Sequence, residues 1–286
     1  MNSAENQVIT RALAKVMSGV ATSDGAGVEL TRIIGSPGLD MLDPFLLLDA
    51  FGSDQPQDYI GGFPDHPHRG FETVTYLLAG RMRHKDSAGH QGVIEPGGVQ
   101  WMTAGRGIIH SEMPEQQDGL LMGFQLWVNL PRADKMSAPA YQEFPAADIA
   151  VERHGGGALV RVIAGRTDQG TVGPVQNHFV EPTYLDVSLP AGEGFEQTLR
   201  ADDNAFLYVF EGQVEVGDQR QPLAYRTLGV LTGGERVSVR AGGDGARFLL
   251  VAAQPINEPV ARGGPFVMNT QEEVMQAFSD FRNNRF

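Results

Sequence analysis

The sequence predicts an all-β protein built from two β domains in tandem, followed by a short C-terminal helix. At 286 residues the chain exceeds the usual domain length of about 100–200 residues, and its hydrophobic content of 41% can fill a core. Its 36 glycines and 17 prolines are spread along the chain, so turns recur between short apolar segments. The segments Leu78–Arg81 and Phe210–Gln213 are similar glycine turns. Each lies between a hydrophobic strand and a return strand of alternating residues, which indicates a duplicated domain.

The first predicted domain contains strands rich in β-branched and aromatic residues, separated by turns with glycine or proline. These predicted strands are Val8–Arg11, Val28–Ile34, Pro44–Phe51, Thr73–Leu78, Arg81–Asp86, Gly92–Thr103 and Leu120–Asn129. Turns at such regular spacing are typical of a barrel or a sandwich. Residues 131–150 follow as a predicted linker with some helical character.

A second series of strands follows the linker. Its members are Ala158–Ala164, Tyr184–Leu189, Ala205–Phe210, Gln213–Val216 and Arg247–Ala252. The tail then changes character, because Thr270–Glu273 forms a capping box and an apolar stripe follows at helical spacing. The stripe consists of Val274, Met275, Phe278 and Phe281. One C-terminal helix that packs on the core is therefore predicted.

Composition excludes several classes of function. The net charge is −13 and the pI is about 4.9, and no cluster of Lys or Arg offers contacts to phosphates, so neither direct nucleic-acid binding nor an anionic membrane is expected. The absence of cysteine excludes disulfides, thiolate metal sites and a cysteine nucleophile. The N-terminus lacks the basic and apolar regions of a secretory signal, and the apolar runs are too short to span a bilayer. We expect a cytoplasmic protein.

Two short stretches carry the chemistry. His66 and His68 are two residues apart, as are His110 and Glu112, and residues two apart on extended backbone point to the same face. Together the two pairs would present three imidazoles and one carboxylate, which is a ligand set for a divalent transition metal. Glu72, four residues after His68, is a second candidate for the acid.

Other potential site residues are interpreted as structural. A single histidine on a strand is more often a satisfied structural residue, and this applies to His84, His90, His154 and His178. Trp101 and Trp127 could stack on a flat ligand, but aromatic residues in strands usually fill a core.

The long motifs Phe63–Thr73 and Gln100–Pro114 resemble the signatures of the pirin family, a group of two-domain proteins in the cupin superfamily. The likeness extends to Asp43–Asp49 and to Gly264–Thr270, so it covers nearly the whole chain. The resemblance implies two antiparallel β-barrels of the jelly-roll type. Residues 1–135 would form a metal-binding cupin domain, and residues 136–286 a metal-free cupin domain that ends in the helix.

The resemblance also implies one metal, held by His66, His68, His110 and Glu112. The acid is then Glu112, and Glu72 lies behind the metal. Iron(II) is the expected ion, with nickel, copper, manganese, cobalt and zinc as alternatives. The flanking residues Asp65, Arg69 and Arg106 are candidates to support the ligands. The second domain has no His-x-His motif, so no second metal is expected.

For function, the family implies a dioxygenase that cleaves quercetin-like flavonols, with a small aromatic substrate and dioxygen as its reactants. Glu112 would act catalytically by taking the proton of a substrate hydroxyl. The alternative is a non-enzymatic, redox-responsive regulator that binds protein partners. The acidic charge of the chain suits a protein partner better than it suits DNA. We expect a monomer.

Overall fold

The computed structural model describes residues 8–177 and 179–286, and this part of the chain consists of antiparallel β-structure with one α-helix. Its strands are β1 (Leu13–Ser18), β2 (Val20–Asp24), β3 (Val28–Ile34), β4 (Phe45–Ser53), β5 (Phe63–His68), β6 (Phe71–Ala79), β7 (Met82–Asp86), β8 (Gln91–Ile94), β9 (Val99–Thr103), β10 (Ile108–Pro114), β11 (Leu121–Asn129), β12 (Ala140–Phe144), β13 (Ala150–Arg153), β14 (Leu159–Ala164), β15 (Thr183–Leu189), β16 (Gly194–Thr198), β17 (Asn204–Val216), β18 (Gln221–Leu223), β19 (Thr227–Leu231), β20 (Arg236–Ala253), β21 (Ala261–Gly263) and β22 (Phe266–Met268). The helix α1 spans Gln271–Arg282, and short 3-10 turns occupy Pro56–Asp58 and Gly155–Gly157. The predicted all-β class with a C-terminal helix is confirmed.

The described chain packs into two compact units. Unit I consists mainly of Gly19–Ile149 and Ile256–Phe286, and unit II mainly of Ala150–Asn177 and Glu181–Pro255 with residues 8–18. Each unit thus takes a segment from the far end of the chain. The sequence predicts two continuous domains, residues 1–135 and residues 136–286, whereas the two units are defined by packing. That division into domains stays a prediction.

Unit I contains a seven-stranded sheet in the order β12-β9-β6-β11-β4-β3-β2 and a four-stranded sheet in the order β5-β10-β7-β8. Strand β6 is buried along most of its length, as its run of β-branched and aromatic residues favours. Strand β7 alternates instead, so Met82, His84 and Asp86 point inward while Arg83 and Lys85 are exposed. The hairpin β21–β22 and helix α1 also belong to this unit.

Unit II contains a sheet in the order β1-β19-β17-β20-β15-β14-β13, with β16 paired to β20 and β18 paired to β17. Its core is one cluster of buried aliphatic residues with Phe195 and Phe248. The two strands predicted at Ala205–Phe210 and Gln213–Val216 are one strand, β17. The expected turn is an irregularity in its pairing with β20, where Gly212 adopts a φ of 64°.

The linker prediction was wrong in one respect. Within residues 131–150 the structure has no helix, and β12 lies there because Tyr141 and its neighbours pair with β9. The N-terminal strand also begins later than predicted, since Thr10 forms only an isolated bridge and β1 starts at Leu13. The helix prediction was confirmed, because the Thr270 side chain accepts a hydrogen bond from the Glu273 backbone N–H and caps α1. No helix in the described residues is long and apolar enough to cross a membrane.

Candidate metal centre

Three histidines meet where strands β5 and β10 pair. The antiparallel register places His110 opposite His66 and Ile108 opposite His68, so the two predicted stretches are neighbours in one sheet. The ring centroids of the three imidazoles lie 4.3–5.0 Å apart. One ring nitrogen from each lies within 4.8 Å of the others. The sequence prediction that these three side chains converge is therefore confirmed.

The contacts of each ring determine which nitrogen faces the centre. His66 Nδ1 lies 2.8 Å from the carbonyl oxygen of Pro64, and His68 Nδ1 lies 3.4 Å from that of Pro265. A carbonyl accepts only from a protonated nitrogen, so each Nδ1 carries the hydrogen and each Nε2 presents a lone pair. The two Nε2 atoms are 3.0 Å apart. Two lone pairs facing each other at this distance suit a shared cation.

His110 provides an independent test of fit for a metal. Both of its ring nitrogens are buried and have no hydrogen-bond partner among the described residues. Buried polar atoms in proteins are nearly always paired, so such orphaned nitrogens require an explanation. Coordination of a metal ion by one of them supplies it.

Electrostatics favour the neutral form that a metal ligand needs. Burial lowers the pKa of His68 well below its usual value. The nearby imidazole of His66 lowers this pKa further, whereas the hydrogen bond to the Pro265 carbonyl raises it. Burial likewise lowers the pKa of His110, with further lowering by the neighbouring His68, His66 and His84. Both rings therefore keep a free lone pair at neutral pH.

Glu112 does not belong to the three-histidine cluster by distance. The pairing of β10 with β5 shifts between His110 and Glu112, so the carboxylate does not simply repeat the position of the histidine two residues earlier. Its Oε1 accepts a 2.6 Å hydrogen bond from Thr75 Oγ1, and its Oε2 accepts one of 2.8 Å from Gln125 Nε2. Glu112 is buried, and its role as the fourth ligand stays a prediction.

Glu72, the other candidate acid, is also buried and outside the cluster. Its Oε1 accepts a 2.7 Å hydrogen bond from Thr103 Oγ1. Of the flanking residues, Arg69 donates to the backbone carbonyl of Arg106, pairs with Asp280 on α1 at 2.8 Å and lies over the Phe286 ring. Its contacts therefore connect the turn between β5 and β6, which follows His68 directly, to the C-terminal helix.

The remaining histidines have structural contacts where the structure describes them. His84 Nε2 and His90 Nδ1 both approach Asp86 Oδ2, at 3.1 and 3.0 Å, and both rings stack on Tyr141. His154 lies in unit II near Gln169. His178 lies outside the described residues.

A cavity of 640 Å³ adjoins the centre, and its lining belongs to unit I. His66, His68 and Gln125 line it together with several apolar side chains. Trp127 packs against a buried cluster and also lines the cavity, whereas Trp101 is a core residue as predicted. The sequence did not indicate Gln125, which lies outside the recognised motifs, or the carbonyl of Pro265, because the motif Gly264–Thr270 assigns no contact to that group.

Two further charged groups in the wall form a pair. Arg32 donates from Nε to Asp49 Oδ1 at 3.0 Å and from Nη2 to Asp49 Oδ2 at 2.7 Å. Burial raises the pKa of Asp49 to about 6, although Arg32 opposes that shift. The wall is therefore polar at this point, while its charges largely cancel.

Comparison with known proteins agrees with this architecture. The family model Pirin matches residues 27–128, and the model Pirin C-terminal cupin domain matches residues 184–286. A "Pirin-like protein" of Caulobacter vibrioides is 56% identical over 96% of this chain and 99% of its own length. A Pseudomonas aeruginosa protein named "Putative quercetin 2,3-dioxygenase" is 48% identical over 96% of this chain and 97% of its own length.

A crystal structure of quercetin 2,3-dioxygenase from Acinetobacter baumannii superposes with a TM-score of 0.89 and 34% identity, over 97% of this chain and 99% of that one. The superposition confirms the predicted two-cupin fold. Both family models match in their expected order, and the similarity covers almost the full length of these relatives. The chain belongs to the pirin family.

Proposed function

We propose that the chain is a metal-dependent dioxygenase that opens the heterocycle of quercetin-like flavonols. The observation that carries this proposal is the cluster of three imidazoles, two of which, His66 and His68, line a 640 Å³ cavity. Pockets for small molecules span about 300–1,000 Å³, so a flavonol has room beside the histidines. The names of the Pseudomonas aeruginosa relative and of the Acinetobacter baumannii structure support the same class of reaction.

The proposed ligands of a single divalent metal are His66, His68, His110 and Glu112. Three nitrogens and one carboxylate oxygen suit iron(II), which we prefer, and also nickel, copper, manganese, cobalt or zinc. A metal bound there would supply Lewis-acid and redox chemistry to an enol substrate and dioxygen. The assignment of Glu112 rests on the family motif.

The chain's own groups have distinct proposed tasks. Glu112 takes the proton of the substrate 3-hydroxyl, and Thr75 and Gln125 hold the carboxylate in place by donating to its two oxygens. Each carboxylate oxygen keeps a lone pair beyond the one used by its donor. Trp127 and Phe63 line the cavity and offer flat surfaces to the aromatic rings.

The reaction consumes one dioxygen per flavonol. Two carbon–carbon bonds of the heterocycle break, carbon 3 leaves with its oxygen as carbon monoxide, and both atoms of dioxygen remain in the ester product. No external reductant is needed, because dioxygen is the oxidant and the ring carbons are oxidised.

The test uses protein whose metal content has been measured. Anaerobic addition of quercetin should shift its absorption, and admission of oxygen should then release carbon monoxide. His66→Ala should abolish both signals, whereas His154→Gln, which changes a histidine of unit II, should keep them. Metal-loaded wild-type protein that is inert in both assays would overturn the proposal.

A second candidate is a metal-containing, redox-responsive regulator that binds a protein partner. The net charge of −13 is the observation that favours it, because it suits a basic protein surface. A partner whose binding changes between ferrous and ferric protein would support it, and equal binding by the His66→Ala variant would contradict it. A cytoplasmic location and a monomeric state remain predictions.

A further inference from the structure

The cavity beside the histidines contains two arginines with very different surroundings. Arg32 is already neutralised, because it pairs with Asp49 through two hydrogen bonds and with Asp24 at 2.8 Å. Its Nε and Nη2 donors are used within the wall. Arg32 is therefore part of the structure of the cavity rather than a free group for a ligand.

Arg262 is compensated more weakly. Among the described residues, its Nη1 donates only to the backbone carbonyl of Asp40, at 3.3 Å, and the nearest carboxylate oxygen, Asp40 Oδ1, lies 4.0 Å away on a side chain that is 89% exposed. Its Nη2 is buried and has no acceptor among the described residues. Burial lowers the pKa of Arg262 below the ordinary arginine value, although Asp40 opposes that shift. A partly buried guanidinium with one unpaired nitrogen is costly.

The position of Arg262 connects it to the metal centre. It lies on β21, and the turn between β21 and β22 carries Pro265, whose carbonyl contacts His68 Nδ1. Arg262, Pro265 and His68 all line the same cavity. A ligand that reaches the histidines can therefore extend to the Arg262 side chain without leaving the cavity.

The acids in the lining are either paired or exposed to solvent. Asp24 and Asp49 both pair with Arg32, which leaves one net negative charge, and the Asp24 side chain is 54% exposed, so solvent screens it. Asp65 is exposed, so solvent screens it. Arg262 thus contributes positive charge at its end of the cavity, and 29% of its side chain is exposed.

We propose that Arg262 forms an anion subsite and that the substrate is an aromatic enol with a carboxylate at the end remote from the metal. The enol end of this proposal rests on the proposed function, but the anion subsite does not. A guanidinium suits this task because its planar donors match the two oxygens of a carboxylate. Arg262 would then determine specificity, since it touches the substrate away from the reacting atoms.

The experiment compares two probes that carry different charges at one group, a 3-hydroxyflavone with a carboxylate on its B ring and the methyl ester of that acid. Binding to metal-loaded protein is followed without oxygen, by quenching of tryptophan fluorescence, since Trp127 lines the cavity. Wild-type protein should bind the acid about tenfold more tightly than the ester, the gain expected for a hydrogen-bonded ion pair. Arg262→Gln should reduce this ratio to about one, and Arg262→Lys should keep part of it.

Arg240→Gln is the matched control, because it removes the same charge from an exposed position in unit II and should leave the ratio unchanged. Equal binding of acid and ester by wild-type protein would overturn the proposal, as would a ratio unaffected by Arg262→Gln. The wild-type comparison decides the matter even if Arg262→Gln fails to fold. A preference for the acid without carbon monoxide release would refute the oxygenase and leave the anion subsite intact.

Discussion

Replacement of Lys135 by methionine tests how the turn between β5 and β6, next to the three histidines, is held in place. The Lys135 ammonium is buried and donates to three acceptors, the carbonyl of Gly70 at 2.8 Å, Asn129 Oδ1 at 2.6 Å and the carbonyl of Val267 at 3.0 Å. Gly70 follows the His66–His68 strand closely, and Val267 belongs to the hairpin that contacts His68. One cation thus connects three segments around the site.

The expected effect follows from these contacts. Leaving a buried acceptor unpaired costs about 1–3 kcal/mol, but Lys135→Met also removes the cost of burying a charge. We therefore expect the free energy of unfolding to fall by roughly 3 kcal/mol rather than by the full sum for three acceptors. For a chain of this size the melting temperature should drop by roughly 6–12 °C. Lys85→Met, at an exposed position on β7, should stay within about 0.5 kcal/mol of wild type.

The same substitution has a definite pH dependence. Burial lowers the pKa of Lys135 to about 7, whereas the unfolded chain holds this proton up to about pH 10.4. Between these values the unfolded state binds more protons, so the stability that Lys135 contributes rises with pH, by at most about 1.4 kcal/mol per pH unit. Urea unfolding of both proteins at pH 7 and pH 9 measures this difference. A difference that does not grow would show that the three acceptors keep the lysine protonated and would refute the reasoning.

Three further predictions concern the centre itself. His110→Ala should lower the metal bound per chain to a small fraction of the wild-type amount, as measured by elemental analysis, and full occupancy would exclude His110 as a ligand. In metal-free protein, the unfolding free energy should decrease as pH falls below about 6.5. The unfolded chain then binds protons at His68 and His110, whereas the folded chain keeps both rings neutral. In urea titrations, the double variant His68→Asn/His110→Asn should show a flatter dependence of unfolding free energy on pH. Gln125→Leu removes a donor from Glu112 and should weaken metal affinity about tenfold, and an unchanged dissociation constant in a chelator competition would argue against Glu112 as a ligand.

Local features of the sequence predicted much of the fold and the site. The spacing of His66 and His68 on extended backbone predicted a common face for these two residues, because the period of a strand is two, and the resemblance to the pirin family implied that His110 joins them. The Thr270 capping box predicted helix α1, since both of its partners lie within one turn. Features that depend on pairing between distant segments were not predictable in this way.

The irregularity between His110 and Glu112 is one such feature, because a shift of register has no local signal here. The strand at Ala140–Phe144 is another, since its pairing with β9 overrides the helical character predicted for the linker. The contact of Pro265 with His68 joins residues 197 positions apart. The same hairpin carries Arg262, so its place in the cavity wall could not be read from the motifs either.

The long-range contact between His68 and Pro265 has a consequence for biosynthesis. A ribosome adds about 5–20 residues per second, so the last of the three histidines, His110, leaves it roughly 8–30 seconds before the hairpin that completes their surroundings. During that interval His68 lacks the carbonyl that orients its ring. Metal insertion into the mature geometry is therefore a late event that follows translation of the hairpin, and a nascent chain arrested before residue 256 should hold its metal loosely.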